Sequence, residues 1–147
     1  MSNYVLEHIP FQADLEELAK TVRLKPGSPM LDDLLQMASE AQALARPRVI
    51  YRVALVKAGG DRAVSIDGAE FTSRVLRVNL EKAHRVFPFV ATCGRELKVW
   101  ADTHADILQR FWADAIMEQA LFSAIQELDR RLEERYQPGP LSSMNTG

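Results

Sequence analysis

Residues 105 to 136, ADILQRFWADAIMEQALFSAIQELDRRLEERY, constrain the fold more than any other stretch. No glycine or proline interrupts them, and apolar residues recur at intervals of three and four. That spacing predicts one long helix. Ile107, Leu108, Phe111, Trp112, Ala115, Ile116, Gln119, Phe122, Ile125, Leu128 and Leu132 form a broad, mainly apolar face. A face that wide needs a sheet or other helices to cover it. The phenylalanines and tryptophans of this part of the chain (Trp100, Phe111, Trp112, Phe122) read as core. Gln137-Pro138-Gly139-Pro140 stops the helix, and residues 137–147 read as a loop.

The covering elements are sought upstream. ADLEELAKTVRL places Leu15, Leu18, Ala19 and Val22 at helical spacing, with Asp14 as a cap. After the loop KPGSP, Leu31, Leu34, Leu35, Ala38, Ala41 and Leu44 share the face of a second helix that Arg46-Pro47 ends. RVIYRVALV, residues 48–56, reads as a strand. With the Gly59-Gly60-Asp61 turn and RAVSI it predicts a hairpin over 48–66. Asp67-Gly68 marks another turn, and the ambiguous run after it favours a helix from about Ser73. RVFPFVATC, residues 85–93, is apolar enough for a strand buried on both faces. MSNYVLEHI is a candidate first strand, and RELKVWADTH one or two helical turns.

The order shows no regular strand–helix–strand alternation. It predicts a single α+β domain spanning 1–147, with a twisted antiparallel or mixed sheet packed against the long helix and two N-terminal helices. Eighteen basic and twenty acidic residues give a net charge of -2, and the basic ones are interleaved with acids. Nucleic acid is therefore not the expected partner. The longest apolar runs fall far short of the roughly 18 residues a membrane span needs. The N-terminus lacks the basic start and apolar core of a secretory signal, so the expected setting is cytoplasmic.

One cysteine, Cys93, excludes an internal disulfide and a zinc site built on several thiolates. It sits at the corner Thr92-Cys93-Gly94, where a strand is expected to run into a helix. A thiol nucleophile there would need a base, and His104 is the nearest downstream histidine; a small buried side chain is the plainer reading. Backbone N–H groups at such a corner suit anions, but a glycine in a tight bend explains Gly94 equally well. Asp114 and Glu118 stand four apart as a carboxylate pair that could hold a metal, although no Glu-x-x-His accompanies them. LDRRLEERY reads as a solvated, charge-paired face.

Taken together, FPFVATCGREL, FWADAIMEQAL and the terminal YQPGPLSSMNTG resemble the activation domain of cobalamin-dependent methionine synthase and its stand-alone relatives. ALARPRVIYRVALV and IDGAEFTSRVL resemble the segment before the family's apolar strand, so the likeness covers most of residues 30–147. It implies an α+β fold with a twisted antiparallel sheet. It implies S-adenosylmethionine as methyl donor for reductive methylation of an oxidised corrinoid, in a methyltransferase system. The cobalamin is carried by a partner protein, and a further partner donates the electron. By this likeness the ligand site comprises Thr92, Cys93, Gly94, Ser142, Ser143, Met144, Asn145 and Gly147. Aligning Gly147 with the family's loop glycine places Ser143 where the family has arginine. The expectation is a chain cut short within its ligand loop, or a variant for another ligand. A non-enzymatic interaction module with a degenerate site, and a homodimer formed through the long helix, are the alternatives.

Overall fold

A computed structural model describes residues 2–58, 63–66, 68–72, 85–138 and 141. The fold is α+β, with two antiparallel sheets and a long C-terminal helix. The described elements are β1 (Tyr4–Leu6), α1 (Leu15–Thr21), α2 (Leu31–Leu44), β2 (Arg48–Tyr51), β3 (Ala54–Ala58), β4 (Ala63–Ile66), β5 (Ala69–Thr72), β6 (Arg85–Val86), β7 (Phe89–Thr92), α3 (Arg95–Asp102) and α4 (Ile107–Tyr136). The turn at 59–61 and the helix expected from Ser73 lie outside the described residues. The chain divides into two compact units. One holds residues 1–5 and 50–90, the other residues 6–49 and 91–147.

In the first unit, β3, β4 and β5 form an antiparallel meander, with Val56 opposite Ile66 and Val64 opposite Phe71. β6 pairs with the other edge of β3, giving the order β5-β4-β3-β6. Of the hairpin expected over 48–66, the structure shows the pairing of 54–58 with 63–66. The run 48–56 breaks at Arg52-Val53, because β2 belongs to the second sheet, ordered β1-β2-β7. The run 85–93 breaks likewise at Phe87-Pro88, between β6 and β7. Proline has no N–H to give a ladder, so a strand is interrupted there at little cost. The Arg52 N–H donates to the Pro88 carbonyl at 3.1 Å, which ties the two breaks together. The expected strand buried on both faces is therefore two short half-buried ones, and Val90 is 70% exposed. Tyr4 stacks on Tyr51 with ring centroids 5.2 Å apart.

The second unit is helical. The Asp14 carboxylate accepts the Glu17 N–H at 3.1 Å and caps α1 as its position predicts. Asp32 and Asp33 sit in the first turn of α2, where acids favour the helix dipole. Asp106 caps α4 through the Gln109 N–H at 3.0 Å. Gln137, left-handed at φ 45°, closes α4 just before Pro138.

One hydrophobic cluster joins the four helices through Leu18, Leu34, Leu97, Trp112 and Ile116. Ala41, Ala101, Ala113 and Ala120 are fully buried there, and such small side chains let helix backbones approach closely. The expected faces need correcting. On α2, Met37 joins the core, while Leu35 and Leu44 are exposed. On α4 the buried stripe runs through Trp112, Ala113, Ile116, Ala120 and Ala124, and Ile107, Leu108, Phe111 and Phe122 face solvent. Gln119, placed on the apolar face by spacing alone, is a clamp. Its amide accepts the Asp14 N–H at 3.0 Å and donates to the Asp14 carbonyl at 3.1 Å. Gln42 of α2 accepts the neighbouring Ala13 N–H at 2.9 Å. The two glutamines fix the start of α1 against both longer helices.

Candidate functional site

The corner at residues 92–94 ends β7 and opens α3. Two hydrogen bonds and one unusual backbone conformation build it. The Thr92 hydroxyl accepts the Gly94 N–H at 3.1 Å. The Cys93 carbonyl accepts the Arg46 N–H at 3.0 Å. Gly94 adopts φ 100° and ψ 147°, close to the region that only glycine reaches. A Cβ on Gly94 would stand 3.0 Å from the N, O and Cβ of Arg46. The glycine is thus required twice, by its own dihedrals and by the backbone packed against it.

Gly94 also occupies the N-cap of α3, so that helix starts without a side-chain hydrogen bond to its first turn. Backbone donors at an uncapped helix start attract a carboxylate or another anion. Glu96 in the same turn already supplies one negative charge to the dipole. Beside the corner, the Arg46 guanidinium folds back on the end of α2. Its Nη1 donates to the carbonyls of Ala43 and Ala45 at 3.1 and 2.8 Å. Sequence reasoning took Arg46 only as part of a helix stop. Its amide nevertheless fixes the corner, and the signal would have been a pairing partner 47 positions away.

Cys93 is half-buried and packs against the helical core. Desolvation pushes its thiol pKa above the ordinary value, while the thiol's own backbone hydrogen bond and Lys98 pull weakly the other way. A thiol raised in this way is protonated at neutral pH, the opposite of what a nucleophile needs. The His104 ring is engaged elsewhere, with Nδ1 2.9 Å from the Trp100 carbonyl and its edge toward the Trp100 ring. These observations correct the thiol-enzyme reading. Iodoacetamide is expected to alkylate Cys93 slowly in the folded protein at about pH 7, with the rate still climbing above about pH 9. A plateau below about pH 7.5 would instead reveal a thiolate.

In the carboxylate pair on α4, Asp114 is engaged by a neighbouring arginine, Arg110, whose Nε lies at 3.3 Å and which also reaches Asp102 at 2.8 Å. Among the described residues no three histidine, cysteine or carboxylate side chains are grouped to hold a metal ion. Arg130 bridges Glu127 and Glu134, as the charge-paired face predicts. Trp100 is half-buried, its indole N–H donating to Glu40 at 3.2 Å, and Trp112 is core. Phe111 and Phe122 are not core.

Of the site expected from sequence, the structure brings together Thr92, Cys93 and Gly94. Ser142, Ser143, Met144, Asn145 and Gly147 lie outside the described residues. Among the described residues no helix is long and apolar enough to cross a membrane. No family model and no curated protein matches the chain.

Proposed function

We propose that the chain is an accessory domain of a cytoplasmic corrinoid methyltransferase system, holding S-adenosylmethionine rather than carrying out chemistry alone. The observation that carries this reading is the uncapped start of α3 at the Thr92–Gly94 corner. The methionine moiety of the ligand ends in a carboxylate, and that group fits backbone donors at a helix start. The bound ligand would supply a transferable methyl group. The described residues would hold and orient it, with Thr92 keeping the Gly94 N–H inside the turn. The corrinoid and the electron would come from partner proteins.

A second reading is favoured by the contact between Gly94 and Arg46. That packing accounts for the glycine without any ligand, as in an interaction module whose site has decayed. Calorimetric titration with S-adenosylmethionine and S-adenosylhomocysteine separates the two. The first reading expects saturable one-to-one binding. Absence of heat at millimolar ligand, from a chain that is folded by circular dichroism, overturns it in favour of the second.

A further inference from the structure

We propose that the outward face of α4 is a docking surface for a basic amphipathic helix of a partner protein. Ile107, Phe111, Phe122 and Ile125 follow one another along this face at three- and four-residue multiples. They are 88% exposed at Ile107, 47% at Phe111 and 59% at Phe122, with Ile125 half-buried. Residues at such intervals line up along a helix, so these form one strip about 30 Å long. Large exposed apolar side chains aligned on one helix face, here two pairs with acids between them, mark an interaction surface rather than a solvated one.

The charges on the strip select the occupant. Asp114 and Glu118 fall between the two apolar pairs, and Asp129 follows the second. All three are exposed. Asp114 is engaged by Arg110, but Glu118 and Asp129 have no ion pair among the described residues. The arginines of α4 do not fall on the strip, and Arg110 and Arg130 are already paired with acids. The uncompensated charge on this apolar row is therefore negative. A second copy fits it poorly. Parallel pairing sets Glu118 against Glu118, and antiparallel pairing that matches Phe111 with Phe122 brings Asp114 within one residue of Glu118. Like charges facing each other across an interface disfavour it. A helix with apolar residues flanking lysine or arginine meets both requirements, in the helix-on-apolar-face mode of peptide recognition. This inference is independent of what the Thr92–Gly94 corner binds.

The test uses the full chain and a fluorescein-labelled, helix-forming peptide of leucine and lysine, about 18 residues long or some 27 Å when helical. A leucine–glutamate peptide of the same pattern is the comparison. Anisotropy is expected to show saturable binding of the basic peptide, weakened by added salt, and none of the acidic one. Phe122→Ser, and separately the pair Glu118→Lys and Asp129→Lys, should each weaken binding at least about tenfold, the effect of about 1.4 kcal/mol. The pair Asp32→Lys and Asp33→Lys on α2 makes the same change in net charge and should leave binding within about twofold. Equal loss in that control, or no saturable binding to the wild-type chain, overturns the proposal. So does a homodimer that Phe122→Ser abolishes, which would assign the strip to a second copy.

Discussion

Gly94→Ala is expected to destabilise the protein by about 3–4 kcal/mol, a large share of the roughly 5–15 kcal/mol that holds a domain of this size folded. Two causes add. A non-glycine residue near φ 100° and ψ 147° carries about 1–3 kcal/mol of backbone strain. The new methyl would also stand 3.0 Å from three Arg46 atoms, two of them backbone. Forcing a group into such a contact costs about 1–3 kcal/mol more. Gly27 separates the causes. It has a similar φ of 83°, but a Cβ there would meet nothing within 4 Å. Gly27→Ala should therefore show the strain alone, about 1 kcal/mol. Urea unfolding followed by far-ultraviolet circular dichroism measures both. Equal losses at the two glycines would mean that Arg46 does not press on the corner. Loss of S-adenosylmethionine binding from Gly94→Ala counts as a site effect only where this unfolding curve shows the variant folded.

Trp112 gives the second large effect, and it depends on which residue replaces it. The side chain is 2% exposed in the helical core, yet its indole N–H finds no acceptor among the described residues. Trp112→Ala opens a cavity and should cost about 3–5 kcal/mol. Trp112→Phe loses part of the ring's packing but also removes a buried donor whose unmet hydrogen bond costs about 1–3 kcal/mol. The two terms oppose each other, so the phenylalanine variant should lie within about 1 kcal/mol of wild type. Urea midpoints of the three proteins decide the matter. A phenylalanine variant as unstable as the alanine one would show that the indole N–H is satisfied in solution.

The helices were legible because their signals are local. Asp14 caps α1 by accepting an N–H three residues ahead, and Pro47 follows within three residues of the end of α2. The direction in which a helix faces is less local. The apolar residues of α4 cover most of its circumference, so spacing alone could not choose among them. Packing selects Ala113, Ala120 and Ala124 for the inside and leaves the bulkier Ile107, Phe111 and Phe122 outside. The strand breaks were hidden for a related reason. An apolar run specifies extended chain without saying which sheet receives it. The interruption at Arg52 is matched by Pro88, far along the sequence. At the corner the glycine was conspicuous in the sequence, but the pressure that makes it necessary comes from Arg46. The rest of the expected site, Ser142 to Gly147, lies outside the described residues.

The clamp of Gln119 on Asp14 also sets an order of events during synthesis. The helical unit is assembled from residues 6–49 and 91–147, which residues 50–90 of the other unit separate in the sequence. The Asp14 backbone waits for a side chain that leaves the ribosome 105 residues later. The β3-β4-β5 meander needs only neighbours in sequence, and contacts of that kind close early and quickly. Until α4 has emerged, α1 and α2 hold their apolar faces without the helix that covers them. A nascent chain in that state exposes Leu18 and Leu34 to the cell, and it is there that a chaperone would have something to grip.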